Sequence, residues 1–449
     1  MMKRKLVLIG AGSVSFTRSV IINLLEDTQR EWTVALVDIE PVALEAAYKL
    51  CRKILREQGS GIELTKTVDR CEALPGADYV VTTIGVGGRV SWEQDVVIPR
   101  KYGIFQPVGD TAMPGGISRA MRMIPAMLAI TRDVQRLCPQ AKFFNYSNPM
   151  STICRAVRKA TGAEIVGLCH GVFMMEWYLA DFVGKPREEC TSLYAGINHL
   201  TYMYDFRHQG VDQFPAMHKK LAEIEAAGWD FSDITKPLPK DAAKILEFPF
   251  CWTVFRECGA FPAPGDYHVI EFYPERFPGG RIYGGTMGVD VPIRFEDFIE
   301  GGDREFDSMK EWAELEGKLP EEAYHVHVRE KLLDMIDSME GDKRAIFPVN
   351  VPNNGAVPNL PDHAILEIPA VAAHCGVCPI QLRNFPDHIA AMVAKQLAII
   401  EVTVDAALQG NRNLFIEAIM LGGYIQDKTQ VERMVDELIQ AQKPYLPQF

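Results

Sequence analysis

The 449-residue chain has no apolar run of bilayer-spanning length, no surplus of basic charge, no internal repeat and no low-complexity stretch. Each absence removes a class of function. A transmembrane helix needs about 20 consecutive apolar residues, so no membrane role is expected. Lysine and arginine number 47 against 59 aspartates and glutamates, a net charge of −12. Nucleic-acid binders usually present a basic face, so that class of partner is not expected either. Cysteine is sparse and scattered, ten in all. This builds no disulfide framework and fits a reducing, cytoplasmic setting. One Cys-x-x-Cys occurs, Cys375 with Cys378, beside His374. A zinc site would want a second pair at comparable spacing, so these read as structural thiols. The start, "MMKRKLVLIGAG", puts basic residues before an apolar run of only four. That is too short for a secretion signal and reads as a first strand.

What is present is a regular alternation. "KLVLIG", "TVALVD", "ADYVVTTIGVGG", "AKFFNYSNPM" and "AEIVGLCHG" read as strands. Between the first of them lie "GAGSVSFTRSVIINLLED" and "PVALEAAYKLCRKILREQG", two helices, the second with Pro41 near its first turn and Gly59 past its end. This βαβ pattern predicts an α/β fold with a parallel, doubly wound sheet. From about residue 200 the pattern changes to charged helical stretches, "HKKLAEIEAAGW" and "EEAYHVHVREKLLDMIDSM", and to Pro/Gly-rich loops. A long amphipathic helix then runs through "DHIAAMVAKQLAIIEVTVDAALQG". The expected organisation is a Rossmann-like nucleotide-binding domain over residues 1–195 and an α+β domain over 196–449.

"GAGSVS", from Gly10 to Ser15, stands between the first strand and helix, where a dinucleotide fold needs glycines. Gly10 permits the tight turn, and Gly12 lets the backbone approach a pyrophosphate at the helix N-terminus, with Ser13 beside it. Ser15 replaces the third glycine of the usual pattern. Asp38 ends the second strand, where a carboxylate accepts from ribose hydroxyls and repels a 2′-phosphate, so NAD is expected over NADP.

An ordinary dehydrogenase has no use for a cysteine at the mouth of such a sheet, yet "VGLCHGV" ends a strand on Cys169 and His170. "AGINHLTYM" brings His199 after another short apolar run. A thiolate and an imidazole at two strand ends form half of a divalent-metal site that substrate oxygens and water can complete. "NYSNPM" adds Asn145 and Asn148 at a third strand end, with amides suited to a sugar hydroxyl or the cofactor ribose.

In their order and spacing, "LIGAGS", "NYSNP", "GLCHG" and "GINH" resemble glycoside hydrolase family 4, the NAD- and manganese-dependent glycosidases. "TTIGVGG", "RKYG" and "RAMRMIPAMLAI" extend the likeness in the first domain, and "GDYHVIEFYP" with "VNVPNNGAVPNLPDHAILEIPA" in the second. The resemblance implies that Cys169 and His199 bind Mn²⁺ and that Asn148 contacts a small glycoside substrate. It also implies a homodimer or homotetramer. Members acting on 6-phospho-sugars carry Asp after the metal cysteine. Here His170 follows it, as in members acting on unphosphorylated glucosides, galactosides and uronides. The implied reaction takes hydride from C3, a proton from C2, and then eliminates the C1 substituent, with His170 as candidate acid. Tyr267 and Asp266 both stand as candidate base, with His268 lining the site. Arg89, Arg119 and Arg281 lie in Gly-rich loops where each could hold a carboxylate or sulfonate. A galacturonide, glucuronide or sulfosugar therefore stands beside a plain α-glucoside or α-galactoside. A malate/lactate-type dehydrogenase and a non-catalytic NAD sensor are the rival readings, and neither explains Cys169 with His199.

Overall fold

Six short strands form the parallel half of a nine-stranded sheet: β1 (Met2–Ile9), β2 (Arg30–Val37), β3 (Glu63–Thr67), β4 (Tyr79–Thr82), β5 (Lys142–Asn145) and β6 (Val166–Gly167). Their order is β3-β2-β1-β4-β5-β6, so the chain reverses direction across the sheet between β1 and β4. This is the Rossmann order, in which ligands lie outside the carboxyl ends of the strands at the reversal. The last four residues of β1 and all of β4 are buried, as strands covered on both faces must be. These features come from a computed structural model that describes residues 2–325 and 331–449, without the side chains of Val14, Ser15 and Ala243. Part of the helical stretch expected at 321–339 and the side chain of Ser15 thus lie outside the described residues.

A second, antiparallel sheet holds β7 (Cys190–Ile197), β8 (Leu200–His208), β9 (Val211–Asp212) and β10 (Phe261–Ala263), and β11 (Arg281–Ile282) pairs with β12 (Gly285–Thr286). The chain then returns to the first sheet. β13 (Ala345–Pro352), β14 (Ile365–Ala373) and β15 (Gly376–Pro379) extend it antiparallel beyond β6.

Helix Met113–Leu137 packs against Gly88–Arg100, Met150–Thr161 and Asp387–Gln409. Its apolar face is fully buried at Ala120, Met123 and Met127, each large side chain contributing about 1.5–3 kcal/mol of transfer free energy. Across the Gly88–Arg100 contact, Arg122 Nη1 and Nη2 donate to Asp95 Oδ1 and Oδ2 at 2.9 and 2.6 Å. No described helix is long and apolar enough to cross a membrane.

Candidate active site

At the carboxyl end of β1 the backbone turns on Gly10, whose φ is +95°. A Cβ there would stand 2.7 Å from the carbonyl carbon of Thr83, so only glycine fits between β1 and the loop after β4. The amides of Gly10 and Ala11 donate to Val37 O. Asp38 follows, half-buried, its Oδ2 accepting from Gly12 N–H at 2.7 Å and its Oδ1 from Glu40 N–H at 2.9 Å. Ser13 occupies the cap position of helix Val14–Leu24 without a side-chain cap bond. The first turn of the helix therefore presents open amides and the positive end of its dipole toward the crevice.

Asn145, at the end of β5, turns inward. It is fully buried, accepting from Thr82 Oγ1 at 2.9 Å and Ser147 N–H at 3.0 Å and donating to Ser147 O. These bonds hold the loop that carries Asn148. Asn148 Nδ2 donates to Asp110 Oδ2 at 2.9 Å, while its Oδ1 is buried without a partner.

The centre of the site is a group of three side chains, Asp110, His199 and His268, whose ligand atoms lie within 4.8 Å of one another. The imidazole rings stand 3.7 Å apart between centroids, and Asp110 Oδ1 lies 3.7 Å from His199 Nδ1 and 3.9 Å from His268 Nδ1. Thr111 Oγ1 donates to Asp110 Oδ1 at 2.7 Å and meets His199 Nδ1 at 2.9 Å. With its one proton spent on Asp110, Thr111 accepts from His199 Nδ1–H, which leaves the Nε2 lone pair for a ligand. His268 Nδ1 is buried without a hydrogen-bond partner. Burial pushes the His199 imidazole down to about 4, against the pull of Asp110. Burial and then His199 hold His268 well below its ordinary value. Both rings are neutral at pH 7, the form that ligates metal. Burial alone would raise Asp110, but His199, His268 and Arg119 hold it below the usual carboxylate range.

Asp110 escaped the sequence reading because "VGDTAMPGG" looks like a plain turn. Two features bring it to His199. Glu271, fully buried, accepts from Val108 N–H and Gly109 N–H at 2.9 and 2.7 Å, and burial pushes its carboxyl up to about 8. Gly116 lets the loop fold onto helix Met113–Leu137, since a Cβ there would lie 2.2 Å from the Thr111 carbonyl carbon.

Cys169 lies past the two-residue β6, half-buried, its Sγ accepting from Gly171 N–H at 3.4 Å. His170 occupies the cap position of helix Gly171–Val183. Both line a cavity of about 150 Å³ together with Asp110, Asn148, His199, Tyr267 and His268. Cys169 is outside the Asp110–His199–His268 group but on the wall of the same cavity. Burial, reinforced by Cys169, pushes the Tyr267 hydroxyl up to about 12.

Three residues singled out in the sequence lie elsewhere. Asp266 points away from the cavity, its two oxygens accepting from the amides of Phe250 and Cys251 at 2.9 Å, and it caps helix Pro249–Cys258. Arg89 is exposed and paired with Asp303. Arg281 is exposed on β11 and donates to Thr286 Oγ1 at 3.2 Å. Arg119 is half-buried and donates through Nε to the backbone carbonyl of Asn148 at 3.0 Å.

Residues 5–185 match the family 4 glycosyl hydrolases, and residues 194–422 match the C-terminal domain of the same family. The chain is 29% identical over 471 aligned residues to the alpha-glucosidase of Erwinia rhapontici, covering 99% of each chain. It is 29% identical over 454 residues to an alpha-galacturonidase of Bacillus subtilis, covering 97% of each. Among solved structures it resembles a 6-phospho-alpha-glucosidase from gut microorganisms, determined in complex with NAD and Mn²⁺. The TM-score is 0.81 at 20% identity, covering the whole of both chains.

Proposed function

The chain belongs to glycosyl hydrolase family 4 and is an enzyme acting on glycosides, and from that premise we propose that it cleaves an unphosphorylated, uncharged α-glycoside with the help of NAD⁺ and Mn²⁺. The observation that carries the proposal is the group of Asp110, His199 and His268 on the wall of one cavity with Cys169 and Tyr267. A dehydrogenase acting on a hydroxy acid has no need of that group.

The residues fit both absent partners. The unpartnered His268 Nδ1 and Asn148 Oδ1 are buried polar atoms that a ligand would satisfy. Carboxylate and imidazole are suitable donors for Mn²⁺, and Cys169 and His199 remain its assigned ligands, joined by Asp110 and His268. Gly10, Gly12, Ser13 and Asp38 form the cradle for NAD⁺, with Asp38 free to accept from the ribose through its remaining lone pairs.

When bound, NAD⁺ supplies a reversible hydride acceptor and Mn²⁺ a Lewis acid, which together make the hydrogen on sugar C2 acidic. As tyrosinate, the form that the charge of the bound cation would favour against the burial that raises its hydroxyl, Tyr267 would take that proton. We assign it this role over Asp266 because Tyr267 faces the cavity and both Asp266 oxygens are spent on a helix terminus. Asn148, held through its Nδ2 by Asp110, keeps its Oδ1 for a sugar hydroxyl. His170, beside Cys169 on the cavity wall, passes a proton to the leaving oxygen. A thiol in the site needs a reducing compartment, the basis for assigning the enzyme to the cytoplasm.

The substrate class rests on charge. Among the described residues lining the cavity there is no lysine or arginine. Arg89 is tied to Asp303 and Arg281 to Thr286. Neither of these lines the cavity, and Arg119, the third candidate, is outside its lining with Nε on the Asn148 carbonyl, which favours a glucoside or galactoside over an acidic sugar. Nitrophenyl α-glycosides, glycuronides and 6-phosphoglycosides, assayed with NAD⁺, Mn²⁺ and a thiol, test this. Release from the neutral α-glycosides is expected. Turnover confined to the charged sugars overturns the substrate class. Stoichiometric NADH from a hydroxy acid without glycoside cleavage overturns the reaction.

A further inference from the structure

His199 stands in a two-residue hairpin turn, Asn198–His199, closed by the Ile197–Leu200 pair of β7 and β8. Its φ is +68°. Such a conformation is uncommon outside glycine, although histidine adopts it more readily than most residues. What holds it is buried polar chemistry behind the turn. Glu367, on β14 and 2% exposed, accepts from Asn198 Nδ2 at 3.1 Å and Asn350 Nδ2 at 2.9 Å through Oε1, and from Thr201 Oγ1 at 2.6 Å through Oε2. Ser151 completes the ring. Its hydroxyl donates to Asn350 Oδ1 at 3.1 Å and accepts from Asn198 N–H at 3.0 Å.

The residues on both sides of His199 are therefore anchored to one carboxylate, and Ser151 ties the same ring to the helix that follows Asn148 and Pro149. We propose that Glu367 is a positioning residue. Its carboxylate, through Asn198 and Thr201, pins the turn so that the His199 imidazole meets Asp110 and His268 in ligating geometry. The inference rests on the metal reading above. It adds that affinity for the cation is set from a strand distant in sequence whose side chain lines none of the site. A carboxylate holding three donors is costly to replace, because the donors are then buried and unpaired. Removing an outer-shell partner of a metal ligand typically weakens metal binding about 10–100-fold.

The test compares wild-type protein with Glu367→Gln, Thr201→Val and Thr201→Ser. Mn²⁺ binding is read by the electron paramagnetic resonance of the free ion, NAD⁺ binding by fluorescence, and the turn by hydrogen exchange. Glu367→Gln and Thr201→Val should weaken Mn²⁺ binding by about 10-fold or more and speed amide exchange across residues 196–202, with NAD⁺ affinity unchanged. Thr201→Ser keeps the hydroxyl and should bind Mn²⁺ as wild type does. Excess Mn²⁺ should restore glycoside turnover in the weakened variants. Wild-type Mn²⁺ affinity in folded Thr201→Val and Glu367→Gln overturns the proposal. If the wild type itself binds no Mn²⁺, the metal reading falls. Hydrogen exchange then decides the positioning role alone, with unchanged protection of the turn in the variants refuting it.

Discussion

At the scale of single residues the account depends on which side chains touch the cavity. Cys169 and His199 were legible in the sequence because a thiol and an imidazole at strand ends have no structural reason to be there. The sequence favoured Tyr267 over Asp266 only slightly, since neighbours in a loop differ only in which way they point. Asp266 accepts from the amides of Phe250 and Cys251 while Tyr267 lines the cavity, which supports the choice of Tyr267. Asp110 could not be found, because its meeting with His199 depends on Glu271, which is remote in sequence, and on Gly116, which carries no chemical signature. Asn145, read as a ligand group, holds the loop of Asn148 through its bonds to Ser147. Cys169→Ser and His199→Ala should each lower glycoside turnover by more than the roughly 100-fold seen for outer-shell losses, while NAD⁺ affinity stays unchanged because Gly10, Gly12 and Asp38 form a separate cradle. Steady-state assays in chelator-treated buffer with back-added Mn²⁺ check this. Wild-type activity of either variant refutes the metal assignment.

At the scale of elements the parallel strands β1, β2, β4 and β5 were readable because buried parallel strands are continuous apolar runs bounded by turn residues. β13 and β14 were not singled out. They carry Pro348, Pro352 and Pro369, and Pro348 stands opposite Pro369 in the register. Proline inside a run argues against a central strand, yet β13 lies beside β6 and β14 beside β13 in the main sheet. Helix packing hid a second feature, the Asp95–Arg122 pair, which is fully buried on both sides. Its two donors match both carboxylate oxygens, so it fixes how Gly88–Arg100 sits on Met113–Leu137. Removing one member leaves the other charge buried and alone. Asp95→Ala should cost about 3–5 kcal/mol of unfolding free energy, measured by urea denaturation. Replacing both members by Leu and Met should recover much of that loss. A cost below about 1 kcal/mol for Asp95→Ala, the range of surface pairs, would mean that the pair does not hold these helices together.

At the scale of the whole molecule, the fold places two kinds of chemistry at one end of one sheet. The order β3-β2-β1-β4-β5-β6 opens a nucleotide crevice between β1 and β4. The loop between helices Gly88–Arg100 and Met113–Leu137, the loops after β5 and β6, and the β7–β8 turn carry Asp110, Asn148, Cys169 and His199 to its edge. A redox crevice beside a metal-ligating wall is the arrangement that hydrolysis by transient oxidation needs, and direct displacement at C1 uses neither. The two routes differ in the fate of one atom. If Tyr267 removes the C2 proton before the glycosidic bond breaks, sugar released in D₂O carries deuterium at C2 once the Tyr267 hydroxyl has exchanged with solvent. The C3 hydrogen, which leaves and returns as hydride, stays protium. Proton NMR of the released sugar, after hydrolysis of a neutral α-glycoside in D₂O, reads both positions at once. The account predicts loss of the C2 signal, retention of the C3 signal and strict dependence on NAD⁺. Full protium at C2 with hydrolysis independent of NAD⁺ would contradict it.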